Sequence, residues 1–533
     1  NTFKLCNLVK MNRLFLFIAL FVFSSGIYSQ SSSEIEFLIE AGLKDQPSIK
    51  ISKDQIILSN GLLQELKGDF NPTLNFSLQR SQDIYPETKI YREGYVDDPS
   101  ASYRSDFFSY NLEVTKLFKN GLYLSPGVTL INNGKDASYR LLKSLGEGEY
   151  LTNRSNVYLK ATQPLLRGRG KDYYSAQIET QQLNVSASEW DFYYNVSFQV
   201  YNILSSYLEF VGNANNLKIQ TSVKDNLMKF REQLSQLADK DIIPQSELVL
   251  INANVSSQTA AVRQSNYFKA LYLNRLTESI GWHNEEGIRL PLSPDTFSFP
   301  ALNLYDSSSY VAYWISEATK NRGDIIASTK RLEAAKRNIQ FAERNNLPTL
   351  DLTASIGYNG IYESNSVEQY LSPIYSNIPG MSYTIGVTFS RPFGMDNMKG
   401  NLARTVATKD INEQYLNQSI LNLEQSISSA YTEVINYHGA AAESKKAVQF
   451  HKKALDNEYI KLKLGSSTVV NLIQVQRNYT LSQSSYNNYL KFLYQAIIKF
   501  RLQVGEIAKF TNSKEIEINP NQILTLPNPL SNE

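Results

Sequence analysis

The sequence predicts a mixed α and β protein of two tandem structural repeats, each carrying strands followed by a pair of very long helices. Three observations predict it: six segments that alternate apolar and polar residues, two proline-free runs much longer than a globular helix, and short motifs that recur at fixed shifts along the 533 residues.

The strand segments alternate with period two. They are Leu74, Phe76, Leu78; Phe108, Tyr110, Leu112, Val114; Leu122, Leu124, Val128, Leu130; Val157, Leu159, Ala161; Leu350, Leu352, Ala354, Ile356, Tyr358; and Tyr383, Ile385, Val387, Phe389. Thr, Ser, Asn, Lys and Gly fill most of the other face. Such segments suit a half-buried sheet or a lipid-facing barrel with a wet lumen. Lys119-Asn120-Gly121 separates the second and third segments, and Asn-Gly is a hairpin turn signal.

The helical runs lie between Pro164 and Pro244 and between Pro392 and Pro520. Proline breaks helices, so its absence over such lengths is informative. Tyr486, Leu490, Leu493, Ile497, Phe500 and Val504 form a heptad seam that Leu472, Val475 and Tyr479 extend backwards. A helix of ~70 residues is ~100 Å long, so the runs suggest a coiled-coil tube or stalk. A large soluble helical bundle is the plainer alternative.

The repeats show in paired motifs. Ser205-x-Tyr207-x-Glu209 recurs as Ser429-x-Tyr431-x-Glu433, a shift of 224 that also relates Leu248 to Leu472, Phe268 to Phe492 and Gly281 to Gly505. Pro72-Thr73-Leu74 recurs as Pro348-Thr349-Leu350, a shift of 276 that also relates Ile49 to Ile325. Gln163-Pro164-Leu165 matches Arg391-Pro392-Phe393 at each passage from strand to helix, where proline's missing N–H costs nothing. Each repeat reads helix, strands, long helix, turn, helix. The first covers 30–281 and the second 313–509, with a Pro-containing linker at 282–312 and a polar tail at 510–533.

Residues 1–29 read as an address. Arg13 precedes the apolar run Leu14 to Phe23, which is too short to span a bilayer and fits a secretory signal. Cleavage is expected after Ser29, and residues 1–10 read as sequence upstream of a natural start at Met11. Removal takes away Cys6, the one cysteine, leaving no disulfide framework and 50 basic against 51 acidic residues. That balance gives no sign of a nucleic-acid binder. Tyrosine is abundant, 34 against 3 Trp, and suits boundaries between dry and wet surroundings. No later stretch approaches 20 apolar residues. A membrane form must therefore be a closed barrel, because open sheet edges cannot be satisfied in lipid.

Signal, tandem halves, strands and proline-free hairpins together resemble the TolC-like outer-membrane efflux protein family over about 35–510. Lys461-Leu462-Lys463-Leu464-Gly465-Ser466-Ser467-Thr468-Val469-Val470-Asn471-Leu472 looks like that family's turn and helix start at the periplasmic end of the second hairpin. Gln163-Pro164-Leu165-Leu166-Arg167-Gly168 looks like its strand-to-helix junction. The resemblance implies a homotrimer whose strands share one β-barrel in the lipid of the Gram-negative outer membrane and whose helices form a periplasmic α-barrel. It also implies that the helical tips meet a periplasmic adaptor and, through it, an inner-membrane pump. The family norm is four strands per protomer, so the six segments are a departure. The hairpin at 108–131 is either an extra barrel hairpin or an extracellular extension, and the extension is preferred.

By the same resemblance, the lumenal ring at the aperture falls on Asn471 and Gln474, neutral amides where relatives carry carboxylates. An amide ring concentrates cations much less than a carboxylate ring. Glu247 falls on an acidic closure position. Its usual basic and aromatic partners appear here as Ser467 and Leu462, so Lys461 and Lys463 are the candidate partners, or else simply solvated lysines. Leu464, Gly465 and Ser466 form the expected adaptor-docking tip turn. The other tip, Asp239 to Pro244, departs from the glycine-containing pattern.

No metalloprotease, P-loop or nucleophile-elbow pattern occurs. His283, His438 and His451 lack metal-ligand spacing, and Gly168-Arg169-Gly170-Lys171 only faintly resembles a phosphate loop. The expectation is a non-enzyme without cofactor or metal: a passive exit duct for efflux or type I secretion. The competing reading is a non-conducting envelope-spanning scaffold or adhesin.

Overall fold

The computed structural model describes residues 31–86, 89, 102–133, 152–239, 244–283, 297–363, 374, 380–510 and 516–529. The expected signal lies outside them, as do 240–243 of the first tip, 284–296 of the linker and 511–515 of the tail. The first repeat runs α1 (Ser31–Asp45), α2 (Pro47–Gly68), β1 (Thr73–Pro86), β2 (Ser102–Leu117), β3 (Tyr123–Asn133), β4 (Thr152–Pro164), α3 (Lys171–Ala238) and α4 (Gln245–Ile280). The second runs α5 (Ser307–Asn321), α6 (Gly323–Asn345), β5 (Thr349–Glu363), β6 (Met381–Ser390), α7 (Asp396–Lys463) and α8 (Val469–Val504), followed by the short pair β7 (Lys509–Phe510) and β8 (Ile516–Glu517).

Each repeat opens with two helices where the sequence suggests one. Pro47 starts α2 because a proline at the first helical position forfeits no bond, and the Gln46 side chain accepts from the Ser48 amide. Between α5 and α6, Arg322 takes an extended conformation. Its guanidinium holds Asp324 at 2.8 and 3.0 Å and the Gln503 side chain at 2.9 Å. The break therefore sits in a charge-assisted network.

The long helices have equal lengths in the two repeats, 68 residues for α3 and α7 and 36 for α4 and α8. At 1.5 Å per residue, the longer pair reaches about 100 Å. Gly281 and Gly505, which correspond between the repeats, end α4 and α8 in the left-handed conformation that glycine adopts without strain. The heptad seam is buried as expected: Leu493, Ile497 and Phe500 are fully enclosed. They belong to the main core, with Trp314 and Tyr431, where α8 meets α3, α5 and α7. Linker and tail wrap this level: the Tyr494 hydroxyl donates to Ser298 O, and that of Tyr310 to Pro527 O.

All six strand segments join one antiparallel sheet in the order β1-β2-β3-β4-β5-β6. The preferred placement of 108–131 as an extracellular extension is thereby corrected. β2 and β3 lie inside the sheet, paired with β1 and β4 along their length. Their tight turn lies at the helical end. The Gly170 amide donates to Asn120 O at 3.2 Å, and a side chain at Gly121 would strike Gly168 O. Gly121, Gly168 and Gly170 all have positive φ, between +83° and +91°. The faint phosphate-loop motif is thus the seat of this turn.

The two faces of the sheet differ. Leu74, Phe76, Leu78, Ile385 and Val387 are more than half exposed on one side. On the other, the Tyr158 hydroxyl donates to Glu113 at 2.9 Å and Thr129 to Asn111 at 2.9 Å. Gly127 leaves the space in which the Tyr158 ring lies, since a side chain there would meet that ring at 2.5 Å. Among the described residues, no helix is long and apolar enough to cross a membrane.

Leu493→Ala removes a fully buried side chain and is expected to cost about 2–5 kcal/mol, whereas Leu481→Ala, at a position 59% exposed, should change little. Gly121→Ala forces a left-handed alanine against a carbonyl and is expected to cost about 1–3 kcal/mol. Thermal unfolding in mild detergent would rank the three.

Candidate functional site

The helical tips carry the candidate aperture. α7 ends at Lys463, and the chain reverses through Leu464, Gly465 and Ser466 into α8. The Gly465 amide donates to Leu462 O and the Ser466 amide to Lys461 O at 2.9 Å, with Gly465 at φ +73°. This helix-ending turn satisfies the last carbonyls of α7. Thr468 caps α8 by accepting from the Asn471 amide at 3.3 Å, so polar Ser-Ser-Thr following glycine is what lets the second helix start at once.

The tip is not held by backbone alone. Val223, Leu227, Phe230 and Leu234 of α3 pack with Ile251 of α4 and with Leu455, Val469 and Leu472 of the second hairpin. Phe230 meets Tyr459 edge-on at 6.0 Å between centroids. Burial pushes the Tyr459 phenol up from its ordinary value. The two hairpins therefore share one apolar plug below their turns.

The predicted aperture residues fall on both hairpins. Asn471 and Gln474 are exposed in the first turns of α8, three residues apart and so on neighbouring faces. The Gln474 amide donates to the Asn478 side chain at 3.4 Å. Glu247 lies in the first turn of α4, where a carboxylate complements the helix dipole. It is half-buried, and its Oε2 has no partner among the described residues.

The suggested pairing of Lys461 with Glu247 is not what the structure shows. Lys461 Nζ lies 3.5 Å from Glu458 Oε2, one turn earlier on its own helix. The Ser467 hydroxyl donates to the other Glu458 oxygen, closing the turn from the α8 side. Lys463 is exposed and has no ion pair among the described residues. Glu458 is the residue that the sequence reading missed. Its spacing of three from Lys461 on a predicted helix was the available signal. Among the described residues no group of His, Cys, Asp or Glu is placed to hold a metal ion.

Further up the bundle the repeated Ser-x-Tyr-x-Glu motif has a role in each repeat. Glu209 receives Lys491 of α8 at 2.9 Å and the Gln495 amide at 3.0 Å, while Glu433 receives Lys499 at 2.7 Å. Both carboxylates thus fasten a long helix to α8. Tyr207 donates to Glu34 and Tyr431 to Tyr305 O.

The two repeats thus join one sheet with an apolar face to paired long helices, and the second pair ends in a closed turn. Residues 314–506 match the family model described as outer membrane efflux protein. Among solved structures, the outer-membrane channel OprN is 15% identical at a TM-score of 0.66, over 89% of this chain and 90% of that one. The CmeC outer membrane channel of Campylobacter jejuni is 14% identical at a TM-score of 0.65, over 89% of this chain and 86% of that one. The outer membrane protein VceC from Vibrio cholerae is 15% identical at a TM-score of 0.62, over 89% and 96%. No curated protein matches the sequence. The TolC-like resemblance is met twice, in the fold across nearly the whole chain and in the sequence pattern of the second repeat.

Gly465→Ala is expected to destabilise the turn by about 1 kcal/mol, because alanine resists the left-handed conformation. Hydrogen exchange should speed up over 460–468 and stay unchanged at the enclosed α8 core near Leu493.

Proposed function

We propose that this chain is the outer-membrane channel of a tripartite efflux or type I secretion system. It acts as a passive exit duct, with a homotrimer forming the β-barrel in the outer membrane and the α-barrel in the periplasm. The observation that carries the reading is the six-stranded sheet with one apolar face and with both edges unpaired among the described residues, joined directly to helices of 68 residues. In lipid those edges must be paired, and six strands are too few to enclose an aqueous lumen. Copies must therefore combine. The matched family model and the fold of the solved channels support the same reading.

In this reading the duct does no chemistry. Cargo enters at the tips from a periplasmic adaptor and an inner-membrane pump that supplies the energy, and leaves through the barrel. Gly465 and its neighbours Leu464 and Ser466 present the docking turn. Asn471 and Gln474 line the aperture, and their neutral amides give weak cation selectivity. Glu247 supplies the one acidic position of the named aperture set.

The native mass of the protein extracted from outer membranes in mild detergent tests the assembly. Three chains are expected; a single chain, or absence from that membrane, would favour the scaffold reading. In planar bilayers, Gln474→Asp is expected to raise the preference for cations over anions several-fold through a ring of added carboxylates. Unchanged selectivity would remove Gln474 from the aperture.

A further inference from the structure

The β2–β3 hairpin stands in the sheet between β1, which continues α2, and β4, which leads to α3. In the second repeat the corresponding strands, β5 and β6, are direct neighbours. Where the hairpin meets the end of α2 and the start of α3 lies a cavity of about 520 Å³, within the range of small-molecule sites. Thr115 of the hairpin lines it, and the Thr115 hydroxyl donates to Glu113 at 3.1 Å. The cavity therefore lies on the polar face of the sheet.

Its walls are aromatic: Phe70 just past α2, Tyr123 of β3, Tyr173 and Tyr174 of α3, and Phe341 of α6. Tyr174 meets Phe70 edge-on at 6.0 Å and Tyr173 edge-on at 5.0 Å, and Tyr173 lies 4.9 Å from Phe341. A side chain at Gly121 would come within 3.1 Å of the Tyr174 ring, and one at Gly168 within 3.3 Å of its hydroxyl. The glycine turn thus gives that ring its place. Burial pushes the Tyr173 and Tyr174 phenols up from their ordinary value, so both stay neutral. Asp69 is the one charged residue of the lining among the described residues, and it is exposed. Of the charges nearby, Asp172 is paired with Arg344 at 3.2 Å. Arg167 and Asp351, one of each sign, act on Tyr173 and Tyr174 without lining the cavity. The second repeat does not carry this set. Asp69 and Phe70 correspond to Asn345 and Asn346, and α7 has no aromatic residue over Asp396–Leu402.

We propose that this cavity binds flat aromatic cations, with the positive charge beside Asp69 and the rings against Phe70, Tyr123, Tyr173 and Tyr174. Aromatic faces carry negative charge and attract cations, and the carboxylate acts in the same direction. An anion meets the wrong sign from both. A neutral molecule of the same shape gains only the apolar contact. That the cavity borders the path of the cargo rests on the duct reading above; the binding itself does not.

The test titrates N-methylacridinium, a permanently charged flat cation, into the full chain in uncharged detergent. Neutral acridine serves as the probe of like shape without the charge. One saturable site per chain is expected for the cation, with acridine weaker by about two- to thirtyfold. Asp69→Asn is expected to weaken the cation by about two- to fivefold and to leave acridine unchanged. Phe70→Leu and Tyr174→Leu are expected to weaken both probes. Asp69→Asn, at an exposed position, decides the matter if either aromatic variant fails to fold. Equal affinity for the two probes overturns the preference for cations. Absence of saturable binding, or binding of the cation unchanged in all three variants, overturns the site. In planar bilayers the cation is expected to reduce the current, and less so in Asp69→Asn. Binding without such a block overturns the place on the cargo's path. A chain that binds the cation and conducts no current overturns the duct reading while the site stands.

Discussion

The constraint on which the proposed duct turns is that backbone amides and carbonyls in lipid must be bonded to one another. The chain meets it across five strand pairs and leaves it open at β1 and β6. The apolar side chains on one face and the polar network around Tyr158 and Glu113 on the other suit a sheet between dry and wet surroundings. The helices carry no such demand. Their bonds close internally, so α3 and α7 can run on from the sheet for as far as their seams stay packed.

Repetition does the rest. Helices as long as α3 and α7 are not stabilised by propensity alone; they need partners along their length. Each long helix has its shorter hairpin mate, and α8 also draws α3 in through Lys491 and Glu209. At the far end the apolar plug of Phe230, Leu455 and Leu472 ties the two hairpins together just below the turn that carries Gly465. The tip is therefore a small exposed turn on a packed apolar base.

Much of this was legible in the sequence because it rests on local period. The six strand segments, the seam through Leu493 and Phe500, and the correspondence of Gly281 with Gly505 are all read from spacing within one element or one shift. What depended on distant pairing was not legible. The placement of β2 and β3 turns on a turn at Gly121 seated against Gly168, far along the chain beyond β3 and β4, and on Gly127 making room for Tyr158. The breaks at Pro47 and Arg322 follow from tertiary partners at Ser279 and Gln503. At the tip, the turn was predicted on the right residues, but the partner of Lys461 was not. Only the direction of the side chains selects Glu458.

The inserted hairpin has a consequence for the shape of the wall. Four helices of each chain, α2, α3, α6 and α7, join the sheet directly. Helices packed at about 8–10 Å span an arc of roughly 32–40 Å. Six strands about 4.8 Å apart and tilted by about 40° span roughly 38 Å, whereas four would span only about 25 Å. The sheet is thus as wide as the helical arc beneath it. In the proposed assembly, a tube built this way would keep a nearly constant bore from sheet to helices.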